Sequence, residues 1–389
     1  MDKITKKNFR AIIATISAAG LILRFIGFPF ESVDYEQCLS SWTEQLKAIG
    51  NISAVSAFAG DYNYPYISIL YFLTLLPIPS LYSIKMVSVL FDFLEAGLLS
   101  ATAMHVAEDD RRYGLGAIAY ALVLFNPLAV LNSGYLAQCE SIWTALGLLS
   151  FYLVIVKEKP GWGMFAFGMA IAMKLQAVFI LPILLVFYFY KKKFSILHML
   201  WIPVAIEVLC LPAIIGGSGW DSAISQYLHL LGEYPFLFYY YPNIWTFFRE
   251  APYYVFGTAA ILFTFVTLLL FAVLFIKSGK KFYMQNYVQY AAWTAMTCTM
   301  LLPCMHERYN YMAEMLLPVS AIFDKKLRIP ALALILISVQ CIGQQFLAWA
   351  PVSYYALAAG NIIVYFYFTA HCLGGLYREY RKNEGMTAC

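Results

Sequence analysis

Charged side chains are scarce in this sequence. Of 389 residues, 26 are Lys or Arg and 22 are Asp or Glu, 12% in all, against 62% hydrophobic residues. A soluble domain of this length could not cover its surface with so few charges. The eight cysteines include no Cys-x-x-C pair, so metal clustering has no support in the sequence. There is no glycine-rich phosphate loop and no separate soluble domain of the kind a nucleotide-sugar donor would call for. No low-complexity tail is present either. The start carries Lys3, Lys6, Lys7 and Arg10, then an apolar run to Phe30 without a small-residue cleavage site. It reads as a first anchored span, not a cleaved leader.

What fills the chain instead is a series of apolar stretches. Many approach or exceed the roughly 20 residues that cross a bilayer core. Lipid offers the backbone no hydrogen bonds, so such stretches must be helices. A transmembrane β-barrel would alternate apolar and polar residues, and these runs are continuously apolar. The expected fold is therefore all-α: a polytopic integral membrane protein forming a single domain over 1–389.

The basic residues set the expected topology. Twenty of the 26 fall in seven clusters: Lys3/Lys6/Lys7/Arg10, Arg111/Arg112, Lys157/Lys159, Lys191/Lys192/Lys193, Lys277/Lys280/Lys281, Lys325/Lys326/Arg328 and Arg378/Arg381/Lys382. If all are cytoplasmic, each consecutive pair is joined by an even number of spans, and the net charge of +4 reflects these loops, not nucleic-acid binding. This parity decides segment 66–82, which is apolar enough to tempt assignment as a span. Counting it would put Arg111/Arg112 and every later cluster outside. With Pro77 and Pro79 in it, and being short, the segment is expected to be a helix lying in or dipping into the outer leaflet. The remaining spans are 9–29, 84–106, 113–131, 140–156, 162–175, 177–190, 195–215, 255–276, 286–304, 309–323, 329–349 and 353–375. That makes twelve spans, with both termini inside. The pairs 162–175/177–190 and 286–304/309–323 contain short members and are expected to turn within the outer half of the membrane. Two outer segments are long, 30–83 with an amphipathic stretch and 216–254, and both are rich in Tyr and Trp.

This topology gathers the unusual polar residues on the outer face. They are Asp34 after the first span; Asp61 and Tyr62 in GDYNYPY; Gln138 and Glu140 in LAQCES; Lys174 and Gln176 in MKLQ; and His306, Glu307 and Arg308 in MHERY. Ionisable groups at membrane depth are costly and usually have a function or a partner. Each also has a structural alternative. Asp34, Gln138 and Glu140 could cap the helices that follow them. Asp61 and Tyr62 could be turn residues, and Lys174 could snorkel. Asp92 and Glu95, three apart inside a span, could line a cavity or be buried hydrogen-bonding groups. A carboxylate here could take a proton from an acceptor hydroxyl. A Lys, Arg or His could stabilise a phosphate leaving group. A groove between spans could hold a polyprenyl chain.

The order of these motifs resembles the GT-C superfamily of glycosyltransferases. It is most similar to the endoplasmic-reticulum glucosyltransferases that extend the N-glycan precursor from dolichyl-phosphate glucose. The segment VDYEQCLSSW matches the Asp, aromatic and Trp-containing amphipathic helix after that group's first span, and so places its general base on Asp34. GDYNYPY resembles a D-Y-P-P motif but departs at Asn63 and Tyr64. LAQCES matches H-F-Q-Y-N only at Gln138. MKLQ resembles a lysine-containing span tip, and His306-Glu307-Arg308 a late H-E-K motif with Arg for Lys. The likeness covers about residues 10–320.

The resemblance implies an inverting transfer of a hexose, glucose or mannose, from a polyprenyl phosphate to a lipid-linked or cell-envelope glycan. It implies no nucleotide cofactor, and no divalent metal is expected. The partners would be the polyprenyl-phosphate-linked sugar, the glycan acceptor and the lipid bilayer. The chain is shorter than eukaryotic members, and this favours a bacterial plasma membrane, with the active site on its outer face. Two other readings stand beside it, a lipid-linked glycan flippase or transporter and a polysaccharide polymerase. The two halves show no convincing repeat of the transporter kind. A thiol reagent confined to the outside is expected to leave Arg111→Cys unlabelled. Labelling there would reverse the topology after residue 66.

Overall fold

A computed structural model describes residues 5–58, 60–107, 110–192, 194–232, 234–278 and 284–383. Lys3, Lys193, Lys280 and Lys281 of the basic clusters lie outside the described residues. The α-helices are α1 Lys6–Gly27, α2 Ser40–Ile49, α3 Ser53–Ala57, α4 Tyr64–Thr74, α5 Ser80–Val106, α6 Arg112–Leu124, α7 Pro127–Val130, α8 Glu140–Phe151, α9 Pro160–Met173, α10 Leu181–Lys191, α11 Trp201–Ile215, α12 Ser222–Gly232, α13 Tyr253–Ser278, α14 Met284–Leu301, α15 Tyr311–Phe323, α16 Arg328–Phe346 and α17 Tyr354–Asn383. Among the described residues the only β contact is an isolated parallel bridge between Phe238 and Met305.

Each of the twelve apolar segments expected to be a span contains helix. Six helical stretches are individually long and apolar enough to cross a membrane: α1, α5, Ile196–Ile215, α13, Lys325–Phe346 and α17. Arg112–Leu124 and Pro127–Tyr135 reach that length and apolarity only taken together, and they are bent by 48° where Pro127 breaks the helix. Shorter apolar helices run over Glu140–Val156, Pro160–Met173, Leu175–Lys191 and Tyr311–Phe323. The protein is an all-helical membrane protein. Segment 66–82 does not form one long helix. Its helix α4 ends at Thr74, and 11 residues rise only about 16 Å at 1.5 Å per residue, half of a ~30 Å hydrocarbon core.

Contacts divide the chain into two units. The first comprises Met1–Thr102, Gly116–Val178 and Ser195–Tyr234, and the second Ala103–Leu115, Phe179–Phe194 and Pro235–Cys389. In the first, small residues let backbones approach. A Cβ on Gly168 of α9 would collide with the Ile202 carbonyl and Ala205 Cβ of α11. A Cβ on Gly27 would enter the Tyr135 ring, and one on Gly134 would meet the Arg24 backbone, which brings α1 against the π-helical turn Leu131–Tyr135. In the second unit, α14 is buried at every position from Tyr287 to Leu301. Its Trp293 and Tyr290 pack on Phe271 of α13 at 4.7 and 5.4 Å between ring centroids. The Trp293 indole N–H donates to Thr369 Oγ1 on α17 at 2.9 Å.

Two cations at membrane depth hold α1 in the first unit. Arg24, fully buried, pairs through Nε with Asp92 Oδ2 of α5 at 2.6 Å. It also donates from Nη1 to the carbonyls of Gly20 and Leu124, and Ser133 Oγ donates to the same Asp92 oxygen. Asp92 is thus a buried structural partner, the second of the two roles open to it from sequence. Lys85 Nζ donates to the carbonyls of Gly27, Phe28 and Phe30 at 2.9, 3.0 and 2.6 Å. Those carbonyls lie at and just beyond the C-terminal end of α1, where a cation also answers the helix dipole. Arg24→Met, which strands Asp92 without its cation, is expected to cost about 3–5 kcal/mol, while Arg24→Met with Asp92→Leu recovers most of the loss. Thermal unfolding in detergent measures both, and an Arg24→Met protein as stable as wild type would remove the pair from the framework.

Candidate functional site

The Lys85-capped turn delivers the chain to Ser32, whose hydroxyl donates to the Leu136 carbonyl at 2.9 Å and accepts from Tyr35 N. Asp34 follows, half-buried, at the head of a π-helical turn over Tyr35–Leu39. Its side chain does not cap that turn. Its Oδ2 accepts instead from Gln138 Nε2 at 2.8 Å. Gln138 is locked from both sides: its N–H donates to the Asn132 carbonyl, and its carbonyl accepts from Ser88 Oγ at 2.7 Å. The preceding Ala137 takes a left-handed conformation, φ 57°, to end the π-helical turn.

Two residues on, Glu140 opens α8 fully buried. It does not act as a helix cap. Oε1 accepts from Lys174 Nζ and Oε2 from Trp143 Nε1, each at 2.5 Å. Lys174 is the residue after α9, in extended conformation, and is 10% exposed. It is therefore a paired cation and not a snorkelling one. The same ammonium lies 5.6 Å from the Tyr62 ring centroid, and Cys139 Sγ is 3.5 Å from the Tyr62 hydroxyl. Tyr62 also packs on Trp42 and Tyr66, with centroids 5.6 and 4.7 Å apart.

The folding thus links five of the sequence candidates, Asp34, Gln138, Glu140, Lys174 and Tyr62, through direct contacts within one unit. Asp61 sits beside them, exposed, its Oδ2 accepting from the Tyr234 hydroxyl at 2.8 Å. Gln176 lies half-buried in the 3-10 turn Leu175–Ile180 that follows Lys174.

Asn63, where GDYNYPY departs from the resembled motif, has a local task. Its Oδ1 accepts from Tyr64 N to start α4, and its Nδ2 donates to the Ala172 carbonyl at the end of α9 at 3.2 Å. It therefore ties the Tyr62 loop to the segment carrying Lys174. Trp143 was not singled out from sequence, although its spacing of three from Glu140 on a helix signals contact. Nothing local marks Asn63, Arg24 or Lys85, because the contacts that place them, with Ala172, with Asp92 and Leu124, and with Gly27, Phe28 and Phe30, span 55 or more residues.

His306, Glu307 and Arg308 form a second cluster, in the second unit. They stand in the loop between α14 and α15, held by Tyr241 N donating to the Met305 carbonyl and Cys304 N to that of Leu237, both at 3.0 Å. Glu307 is buried, with Oε1 accepting from Arg308 Nη1 at 2.6 Å and Oε2 3.7 Å from His306 Nδ1. The His306 ring packs edge-on against Tyr239 at 4.3 Å between centroids. Burial opposes ionisation of Glu307, but the Arg308 guanidinium and His306 outweigh it and hold the carboxyl down at about 2.

Deeper in this unit lies a group that sequence inspection passed over. Glu314 accepts from Ser338 Oγ at 2.5 Å and Asn310 Nδ2 at 3.3 Å, and Thr299 Oγ1 donates to Asn310 Oδ1. Among the described residues, no three His, Cys, Asp or Glu side chains stand together as a metal-binding group.

The first unit offers a carboxylate oriented by an amide and, two residues along the chain from that amide, a buried carboxylate paired with a largely buried cation that faces an aromatic ring. Such a set can accept a proton and neutralise an anion. No protein-family model matches the chain, and no curated protein matches it in sequence.

Because the Glu307 carboxyl titrates below its ordinary value of 4.5, its contribution to stability is complete above that value and is lost as pH falls towards 2. The difference in melting temperature between wild type and Glu307→Gln is expected to shrink as pH falls from about 5 towards 2. A difference independent of pH down to about 2.5 would mean that the pair adds nothing ionic.

Proposed function

We propose that this protein is an inverting membrane glycosyltransferase of GT-C type. It moves a hexose, glucose or mannose, from a polyprenyl phosphate to a hydroxyl of a lipid-linked or cell-envelope glycan. The observation that carries this reading is the pair of contact sets Asp34–Gln138 and Glu140–Lys174–Tyr62, which join residues from four motifs of the resembled family. Asp34 is the general base. As the acceptor oxygen bonds to the sugar's C1, its proton passes to the Asp34 carboxylate. The bond from C1 to the phosphate oxygen breaks, and its electron pair leaves with the polyprenyl phosphate. Gln138 donates to Oδ2 and so fixes which carboxylate oxygen faces the acceptor.

Lys174, held by Glu140, supplies positive charge as the leaving phosphate develops negative charge. His306, Glu307 and Arg308 are assigned to substrate binding by the resemblance alone. The scheme invokes no metal and no nucleotide. It is set in a bacterial plasma membrane, with twelve spans, both termini cytoplasmic and the site on the outer face.

Asp34→Asn keeps an oxygen that can accept from Gln138, so the fold is expected to persist while the proton acceptor is lost. Turnover of polyprenyl-phosphate glucose or mannose should fall about 10²–10⁴-fold in purified protein with an unchanged melting temperature. Near-normal turnover would move the base elsewhere, with Asp61 next in line.

A further inference from the structure

We propose that α12 is an interfacial helix, docked on the lipid surface through Trp220, Ile224 and Leu228, and that its opposite face holds the loop carrying Tyr62 and the helix end carrying Lys174. Docking on the bilayer thereby sets the geometry of the candidate site. The inference stands apart from the glycosyltransferase reading, since it concerns what α12 touches and not what the site does.

The helix has two distinct sides. Ser222 and Ala223 are buried, and Gln226 and Tyr227 are half-buried one turn on, so this side faces the protein. Ile224 and Leu228 lie four apart on the other side, 63% and 67% exposed, with Trp220 just ahead of the helix at 66%. Three large apolar groups this exposed on so short a segment need a cover. Their place in the chain says which. The apolar stretch Ile196–Ile215 ends six residues before α12 begins, so the helix emerges at the membrane surface. A short amphipathic helix there, led by Trp, lies in the plane of the interface. Ser225 and His229, exposed beside the apolar pair, fall on the headgroup and water side.

The protein-facing side is bonded to the site. Gln226 Nε2 donates to the carbonyls of Gly60 and Tyr62, both at 3.3 Å. The Tyr227 hydroxyl donates to the Ile171 carbonyl, one of the orphan carbonyls at the end of α9, three residues before Lys174. The Tyr234 hydroxyl beyond the helix holds Asp61. A shift of α12 therefore moves both partners of the Lys174–Tyr62 contact.

The test uses the full chain, with Cys38, Cys304 and Cys389 replaced by Ser, in nanodiscs of phosphatidylcholine and phosphatidylglycerol. A spin label at Leu228→Cys is expected to collide several-fold more with oxygen than with a water-soluble nickel chelate, and a label at Ser225→Cys to show the reverse. In Ile224→Ser/Leu228→Ser, amide exchange of residues 60–63 should rise several-fold while exchange of α16 is unchanged. Gln226→Ala should give the same local signature, and it decides the matter if the double variant loosens the whole protein. A label at Leu228 reached by the chelate, or by neither reagent as under a protein partner, overturns the docking. Unchanged exchange of residues 60–63 in Gln226→Ala overturns the coupling.

Discussion

A bilayer core contains nothing that can hydrogen-bond, so any polar group placed there must find its partner within the protein. The first unit shows how far this requirement reaches. Arg24, fully buried, is met by Asp92 and two backbone carbonyls. Lys85 spends its three donors on carbonyls at and just beyond the end of α1. Each is a long-range pairing, and each fixes the exit of α1. The residues that follow that exit are the ones on which the candidate chemistry rests. Position, in this protein, is a by-product of polar satisfaction.

The same logic builds the site. Helix α9 stops at Met173, and its last turn presents carbonyls without intrahelical donors. Asn63 supplies one donor and Tyr227 another. Those bonds bring the Tyr62 loop and α12 onto the residue that follows the helix, Lys174. Glu140 can be buried because Lys174 and the Trp143 indole answer its two oxygens. Removing any one of these partners leaves another exposed to a low dielectric, so the cluster is interdependent. Lys174 and Tyr62 belong to the framework and, in the proposed function, also to the substrate site.

The second unit is organised by polar residues within apolar helices. Glu314, Asn310, Thr299 and Ser338 form one connected network. Asn361 of α17 donates to the Tyr241 hydroxyl and the Pro242 carbonyl at 3.0 and 2.9 Å. These bonds secure the segments on either side of the loop carrying His306, Glu307 and Arg308. The ion pair in that loop is local, between neighbours in sequence.

The residues themselves determined the class of protein. Continuous apolar runs and few charges demand helices in a membrane, because only helices and closed barrels satisfy their own backbone in lipid and a barrel would alternate apolar and polar residues. Helix lies within each expected apolar segment, while 66–82, expected as a helix in or dipping into the outer leaflet, is divided between α4, which ends at Thr74, and α5, which begins at Ser80. The identity of the unusual polar residues was also legible, because charge is conspicuous against so apolar a background. Which of them meet was not. That Asp34 faces Gln138, that Glu140 serves Lys174 and Trp143 and not a helix end, and that Arg24 is the partner of Asp92 depend on pairs 34 to 104 residues apart, Trp143 excepted. Hydropathy and charge parity report how deep a residue lies along the membrane normal. They carry no information on the rotation of a helix about its axis or on its neighbours, and those the packing of small residues and the pairing of buried polar groups alone decided.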